Sequence, residues 1–293
     1  MGTTYKSGCV LCAQNCGLEL EVENNRIVRV RGDKANAKSE GYVCRKGMNI
    51  AYHQHNADRL THPLKRVGDR FERISWDQAV SEIAAKIKDI IGRYGPRAYA
   101  YMGGGGQGCH FEAAFGVRVL RGLGSQYHYS ALAQEFSGAF WVSGRTLGRQ
   151  YLHPAIDTAE TDLLLAIGWN GMESHQIPQA PRQLRRIAKD PSKLLIVVDP
   201  RASETAKIAD IHLRIRPGTD ALLLKAMIAI ILQEGWENAA YMAEHTAGFE
   251  QLRGLFADFD ARAAVATCRL DFDQVRQVTQ LFATRKSCLR NDL

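Results

Sequence analysis

Four cysteines crowd the first 44 residues of this 293-residue chain. Cys9, Cys12 and Cys16 form a C-x2-C-x3-C group, and Cys44 follows after 27 intervening residues. Four thiolates are the usual ligand set of a [4Fe–4S] cube. A tight loop of three can hold three corners while a distant fourth closes the cage. Zinc also accepts four thiolates, but its ribbons pair two C-x2-C knuckles and the second is missing here. A third reading leaves the thiols buried and without a metal. A secreted disulfide framework fits poorly, because the seven cysteines are odd in number and Met1 to Ser7 carries no apolar signal core. Cys109, Cys268 and Cys288 stand alone on apolar-periodic stretches, where a cysteine acts as a small hydrophobe.

A second group of chemistry-bearing residues sits where buried strands are expected to end. The apolar run Asp162 to Ile167 passes into Gly168-Trp169-Asn170-Gly171-Met172-Glu173-Ser174-His175, and Lys193 to Val198 passes into Asp199-Pro200-Arg201. Gly218 and Asp220 lie in a third such turn, before a long helix over Ala221 to Glu234. Ligands of open α/β sheets bind at the carboxyl ends of strands, near helix N-termini. Gly168 allows close backbone approach, and Asn170 and Ser174 can donate to phosphates. Asp199 can accept from a guanine or a ribose, and Arg201 can stack or pair. There is no G-x-G-x-x-G fingerprint, which argues against NAD. Gly103 to Gly106 resembles a phosphate nest but lacks the Lys-Ser/Thr of a P-loop, so nucleotide hydrolysis is not expected.

The elements that must position these residues follow from periodicity. Leu18, Leu20 and Val22 alternate with Glu19, Glu21 and Glu23, Asn24-Asn25 makes a turn, and Arg26 to Arg31 returns as a second strand. Ser75 with Gln78 three residues on is a capping-box signature. It opens a helix whose apolar face is Ala79, Val80, Ile83, Ile87, Ile90 and Ile91 and which stops at Gly95-Pro96. A strand over 97–102, helices near 112–120, 179–189 and 272–284, and a strand over 211–215 complete the expected elements. Strands alternating with helices imply a parallel sheet covered on both faces. The expected fold class is therefore α/β with α+β parts: a small β-rich cluster domain over 1–62, then doubly wound α/β dinucleotide-binding domains over 63–134 and 135–293. A composition of 45% hydrophobic and 24% charged residues is that of a folded chain. The longest apolar stretch, Ala221 to Leu232, is interrupted by Lys225 and is too short for a membrane helix, so the chain reads as cytoplasmic. The net charge of +7 suits an anionic ligand. Its basic residues are scattered, and the densest cluster (Arg182, Arg185, Arg186, Lys189) fits the outer face of one helix, so no nucleic-acid partner is expected.

The cysteine set, with Cys44-Arg45-Lys46-Gly47, resembles the N-terminal cluster domain of the dimethyl sulfoxide reductase superfamily, formate dehydrogenase-like in texture. The resemblance continues through Asp58-Arg59-Leu60, Pro63-Leu64-Lys65-Arg66, Ile74-Ser75-Trp76-Asp77, Val198-Asp199-Pro200-Arg201 and Pro217-Gly218-Thr219-Asp220, in family order over nearly the whole chain. It implies a [4Fe–4S] cluster on Cys9, Cys12, Cys16 and Cys44, and molybdenum or tungsten held by a bis(molybdopterin guanine dinucleotide). It places Lys46 between cluster and pterin. Gly168, Asn170, Glu173, Ser174, Asp199, Pro200, Arg201, Gly218 and Asp220 match positions that hold the dinucleotide. The implied partners are a small-molecule substrate and a redox protein or subunit. The implied domain over 63–134 is the first part of one that the chain re-enters later, so the chain reads as incomplete.

The resemblance also points to a ligand of the catalytic metal, eleven residues after the glycine of a Gly-Ser/Thr turn. From Gly124-Ser125 the count reaches Glu135, with Phe136 where formate dehydrogenases carry a histidine. No cysteine is nearby, which counts against simple formate oxidation. A carboxylate suits a high-valent oxophilic metal, or it can serve as general base; a shift of one or two residues gives Gln134 or Ser137, and a solvated loop glutamate is the bland reading. A rival for the whole chain is a non-catalytic iron–sulfur electron-carrier subunit, resembling the large subunit of respiratory NADH dehydrogenase.

Overall fold

The computed structural model describes residues 2–12, 14–103, 110–150, 152, 155–175 and 177–291. It divides into two compact units, Met1–Leu152 and His153–Leu293.

The first unit opens with a three-stranded antiparallel sheet of β1 (Thr3–Gly8), β2 (Gly17–Glu23) and β3 (Arg26–Gly32), in that order. The turn between β2 and β3 is Asn24-Asn25 with φ of 47° and 59°. Two consecutive left-handed residues match the twist of a two-residue hairpin, and asparagine tolerates that region. Leu20 pairs with Val30 and Leu18 with Gly32. Leu18 and Val30 are buried together with Cys9 and Ile50, which forms the small core. The strand β1 is mostly polar and exposed, and its apolar pattern gave no sign of it. The short helices α1 (Arg45–Met48) and α2 (Ile50–His55) follow, then a hairpin of β4 (Leu64–Val67) and β5 (Arg70–Arg73) turned through Gly68.

The helix α3 (Trp76–Tyr94) is capped as its sequence demands, the Ser75 hydroxyl accepting from the Gln78 amide at 3.1 Å. Only half of the capping box forms, because the Gln78 side chain donates forward to Glu82 at 2.9 Å. The strand expected over 97–102 contracts to β6 (Tyr101–Met102), preceded by a 3-10 turn at Pro96–Ala98. The rest of the unit is α4 (His110–Gly122), β7 (His128–Tyr129), which pairs in parallel with β6, α5 (Leu132–Glu135) and α6 (Ser137–Thr146). The α/β pattern read from residue 135 thus begins with the end of α5 and with α6, both in the first unit.

The second unit carries a four-stranded parallel sheet. Its strands are β8 (Leu163–Ile167), β9 (Leu194–Val198), β10 (Ile211–Leu213) and β11 (Ser287–Asn291), in the order β10-β9-β8-β11. The continuous apolar runs of β8 and β9 are buried on both faces, as parallel strands require. Leu163, Leu165 and Ile167 pack with Ile196 and Val198 against α9 (Asp220–Glu234), α12 (Ala261–Thr267) and α13 (Phe272–Thr284). Leu164, Ala166, Leu195 and Val197 face the other way, against Leu184 and Ile187 of α8 (Ala180–Lys189). The single turn α7 (Gly171–Ser174) precedes α8, and α10 (Ala239–His245) and α11 (Phe249–Leu255) lie between α9 and α12. The chain leaves β8 toward β9 and β10 on one side and returns as β11 on the other. That reversal beside β8 is a topological switch point, where open α/β sheets hold ligands outside their carboxyl ends.

Candidate functional site: a cysteine loop and the carboxyl edge of the parallel sheet

In the first unit, the turn carrying Cys9, Cys12 and Cys16 closes on itself. The Cys9 amide donates to the Cys16 carbonyl at 2.8 Å, and the Asn15 amide to the Cys12 carbonyl at 3.2 Å, with Asn15 left-handed at φ 46°. The distant Cys44 is brought back by the polar loop after β3. There a side chain on Gly32 would meet the Gly41 carbonyl oxygen at 2.0 Å, and the Gly41 amide donates to the Asp33 carbonyl at 3.0 Å. Cys44 then caps α1, whose Gly47 lies against Cys9: a methyl group there would stand 3.4 Å from the Cys9 sulfur.

Neighbouring cysteines act electrically on Cys9 and Cys16. Burial pushes the Cys9 and Cys16 thiols up first, and neighbouring cysteines push them further, while Lys46 pulls Cys9 down. All four are free of disulfides. Among the described residues, no three His, Cys, Asp or Glu side chains meet at a point that one ion could occupy. The donor set, four soft thiols beside a lysine, fits the cluster. Lys46 itself is exposed on α1.

In the second unit, β8, β9 and β10 end side by side. Gly168 leaves β8 with φ 62° and donates to the Val198 carbonyl at 2.8 Å. Asp199, almost fully buried at the end of β9, accepts the Arg201 amide at 2.7 Å, and its carbonyl takes His212 at 2.8 Å. That leaves Pro200 and Arg201 exposed on the turn. Gly218, φ 80°, leads to Asp220 in the first turn of α9. Glu173 and Ser174 are exposed on α7, the Ser174 hydroxyl donating to the Asn170 carbonyl at 3.1 Å.

Asn170 is placed differently from a free phosphate donor. Its side-chain oxygen accepts from the Thr205 amide (3.2 Å) and hydroxyl (2.9 Å), and its NH2 donates to Glu204 at 2.7 Å. Its first role is to tie the turn after β8 to the turn after β9. Sequence reasoning did not single out Thr205, Glu204, Trp169 or Arg290. Trp169 is fully buried, and a side chain on Gly171 would strike its ring at 2.4 Å. The indole Nε1 of Trp169 and the Nε of Arg290 are buried with no hydrogen-bond partner among the described residues, and the Arg290 guanidinium lies 5.8 Å from the indole ring. Orphaned buried donors are uncommon. These two lie at the ends of β8 and β11, at the switch point, which is where a bound group would meet them.

Glu135 ends α5, and its side chain lies outside the described residues. The turn from which it was counted is well formed. Gly124 has φ 75°, and the buried Ser125 hydroxyl donates to the Tyr99 carbonyl at 2.6 Å. The glycine run at Gly103–Gly106 falls outside the described residues from position 104 on, as does Cys109.

Residues 59–268 match the family described as molybdopterin oxidoreductase, and residues 3–56 match the molybdopterin oxidoreductase Fe4S4 domain. The chain belongs to the molybdopterin oxidoreductase family. The Fe4S4 match covers all four clustered cysteines, which selects the cluster over zinc, and with the larger match it supports a molybdopterin cofactor. Acetylene hydratase of Syntrophotalea acetylenica is 31% identical over 94% of this chain and 38% of its own length. Formate dehydrogenase H of Escherichia coli is 28% identical over 95% and 40%. The assimilatory nitrate reductase catalytic subunit of Bacillus subtilis is 28% identical over 97% and 40%. The solved structure of acetylene hydratase from Pelobacter acetylenicus superposes with a TM-score of 0.77 at 27% identity, over 98% of this chain and 40% of that one. The chain thus spans about two fifths of the length of the curated relatives it matches. No helix among the described residues is long and apolar enough to cross a membrane.

Proposed function

We propose that this chain is the cluster- and cofactor-binding part of a molybdenum or tungsten oxidoreductase that uses a bis(molybdopterin guanine dinucleotide). The observation that carries the reading is that one chain holds two sites, each under its own family match: the thiol loop of Cys9, Cys12, Cys16 and Cys44, and the aligned ends of β8, β9 and β10 with donors at the switch point that have no partner among the described residues. When bound, the metal–pterin group supplies two-electron exchange with substrate and the cluster passes electrons singly.

This chain's own residues hold and orient those groups. The four thiols must lose their protons to ligate, so cluster assembly releases protons. Lys46, beside Cys9, offsets the negative charge of the thiolates and can hydrogen-bond a pterin. Gly168 and Gly218 admit phosphates close to the backbone, Asn170 offers its NH2 where a phosphate replaces Glu204, Ser174 lines the same turn, Asp199 fixes the turn that presents Arg201, and Asp220 stands at the head of α9. Glu173 and Pro200 complete the two turns. Glu135 is the proposed protein ligand or general base at the metal, in place of a cysteine. Electrons then pass to a redox partner protein or subunit, and the substrate is a small molecule.

The test is metal and pterin analysis of the protein purified anaerobically with any flanking sequence its gene encodes. About four iron atoms per chain, stoichiometric molybdenum or tungsten, and GMP released on acid hydrolysis are expected. Iron without molybdenum, tungsten or pterin would replace this reading with the electron-carrier one. For Glu135, Glu135→Gln in the same protein is expected to alter the metal's electron-paramagnetic-resonance signal and to lower turnover. If signal, metal content and turnover all stay unchanged, Glu135 is neither ligand nor base.

A further inference from the structure

The Asn170 amide, an expected phosphate donor, already holds an anion. Its NH2 donates to the Glu204 carboxylate at 2.7 Å, and this exposed pair bridges two turns 34 residues apart. The geometry is set from beneath by Thr205, which is fully buried. Its amide and hydroxyl both donate to the Asn170 side-chain oxygen, and its hydroxyl also accepts from the Met172 amide at 3.1 Å. With the oxygen fixed by two donors, the NH2 of Asn170 can only point outward, toward whatever acceptor stands there.

The surroundings favour an anion. The Asn170 amide, then the local backbone, then Lys207 and Arg201 hold the Glu204 carboxyl below the usual carboxylate range. The side chains of Arg201 and Lys207 have no hydrogen bond or ion pair of their own among the described residues. A hydrogen-bond donor and the fields of two cations thus act on one exposed protein carboxylate.

We propose that Glu204 is an intramolecular stand-in for the dinucleotide's phosphate: it occupies the Asn170 amide when the site is empty and must be displaced when the phosphate arrives. Thr205 is a positioning residue, holding Asn170 ready for either anion. The inference rests on the dinucleotide reading of this edge. It adds that the site carries its own competitor, so that the wild-type residue weakens phosphate binding.

The test compares wild type, Glu204→Gln and Thr205→Val in the full chain, with GDP, inorganic pyrophosphate and guanosine as probes in calorimetric titrations. Glu204→Gln keeps the shape and the acceptor but removes the charge. It is expected to bind GDP and pyrophosphate about threefold to tenfold more tightly, as removal of a partly screened like charge allows, with guanosine unchanged. High salt should shrink the difference, because exposed charges are screened. Thr205→Val is expected to weaken GDP binding, with recovery in Thr205→Ser. If GDP binds and Glu204→Gln leaves its affinity unchanged or weakens it, Glu204 is not a competitor and the proposal fails alone. If wild type and variant both bind neither GDP nor pyrophosphate, the dinucleotide reading of this edge fails and takes the proposal with it.

Discussion

Cys16 does two jobs that separate cleanly in a variant. Its carbonyl closes the loop by accepting from the Cys9 amide, and its sulfur is one of the four proposed cluster ligands. Cys16→Ala keeps the first and deletes the second. Iron content and visible absorption are expected to collapse, and soluble yield to fall, because metal-binding free energy is folding free energy at such sites. Full iron content in that variant would overturn the ligand assignment. Asp33 is expected to contribute to the same domain's response to acid. The Ala35 amide at 2.9 Å, and after it Lys6 at 3.1 Å, hold its carboxyl below the usual range. A carboxyl whose folded value is lowered stabilises fully above its unfolded value, about 3.9, and that stability is lost as pH falls through the folded value. Urea midpoints of wild type should therefore drop more between pH 5 and pH 3 than those of Asp33→Asn. Equal drops would show that Asp33 contributes nothing to the acid response.

At the scale of elements, the sequence was legible wherever one segment satisfied its own backbone. Ser75 marks the start of α3 because its hydroxyl takes an amide that the first turn leaves orphaned. The Asp271 cap does the same for α13 by accepting the Gln274 amide at 2.8 Å. Ser75→Ala should cost about 0.5–2 kcal/mol, read as a lower urea midpoint with the hairpin of β2 and β3 unaffected; an unchanged midpoint would mean that the Gln78–Glu82 contact already carries the helix start. The apolar runs of β8 and β9 were equally plain, being buried on both faces. What was hidden depends on partners far along the chain. The strand β11, Ser-Cys-Leu-Arg-Asn, has no clear apolar run and becomes a strand by pairing with β8, Arg290 opposite Ala166. The hairpin of β4 and β5 is exposed on every residue and carries charge on most of them, so no buried face announced it. The site shows the same division. The cysteine spacing and the strand-end turns could be read directly. The Asn170–Thr205 tie and the Trp169–Arg290 pair could not, because they join residues 35 and 121 positions apart.

At the scale of the whole molecule, the two units differ in how well each covers its own apolar surface. The second has two buried clusters, one on each face of its sheet, into which β8, β9, α8, α9, α12 and α13 all deliver side chains. Among the described residues the first has one small cluster, around Cys9, Leu18, Val30 and Ile50. Its longest helix shows the consequence. The stripe on α3 has the spacing of a core-facing helix, yet only Ala79 is buried, while Trp76, Val80 and Ile83 are 68%, 62% and 59% exposed. On α4, Phe115 is 64% exposed, and on α6, Trp141 is 60%. Exposed apolar patches of this kind drive association when nothing covers them. The 293-residue chain is therefore expected to self-associate, its weight-average mass in sedimentation rising with concentration. Val80→Lys with Ile83→Glu should suppress that rise and leave helix content unchanged, since both positions face solvent and both replacements suit a helix. Residues 153–293 expressed alone should stay monomeric over the same range. A monomeric full chain at every concentration, or association carried by 153–293, would place the sticky surface somewhere other than the α3 stripe.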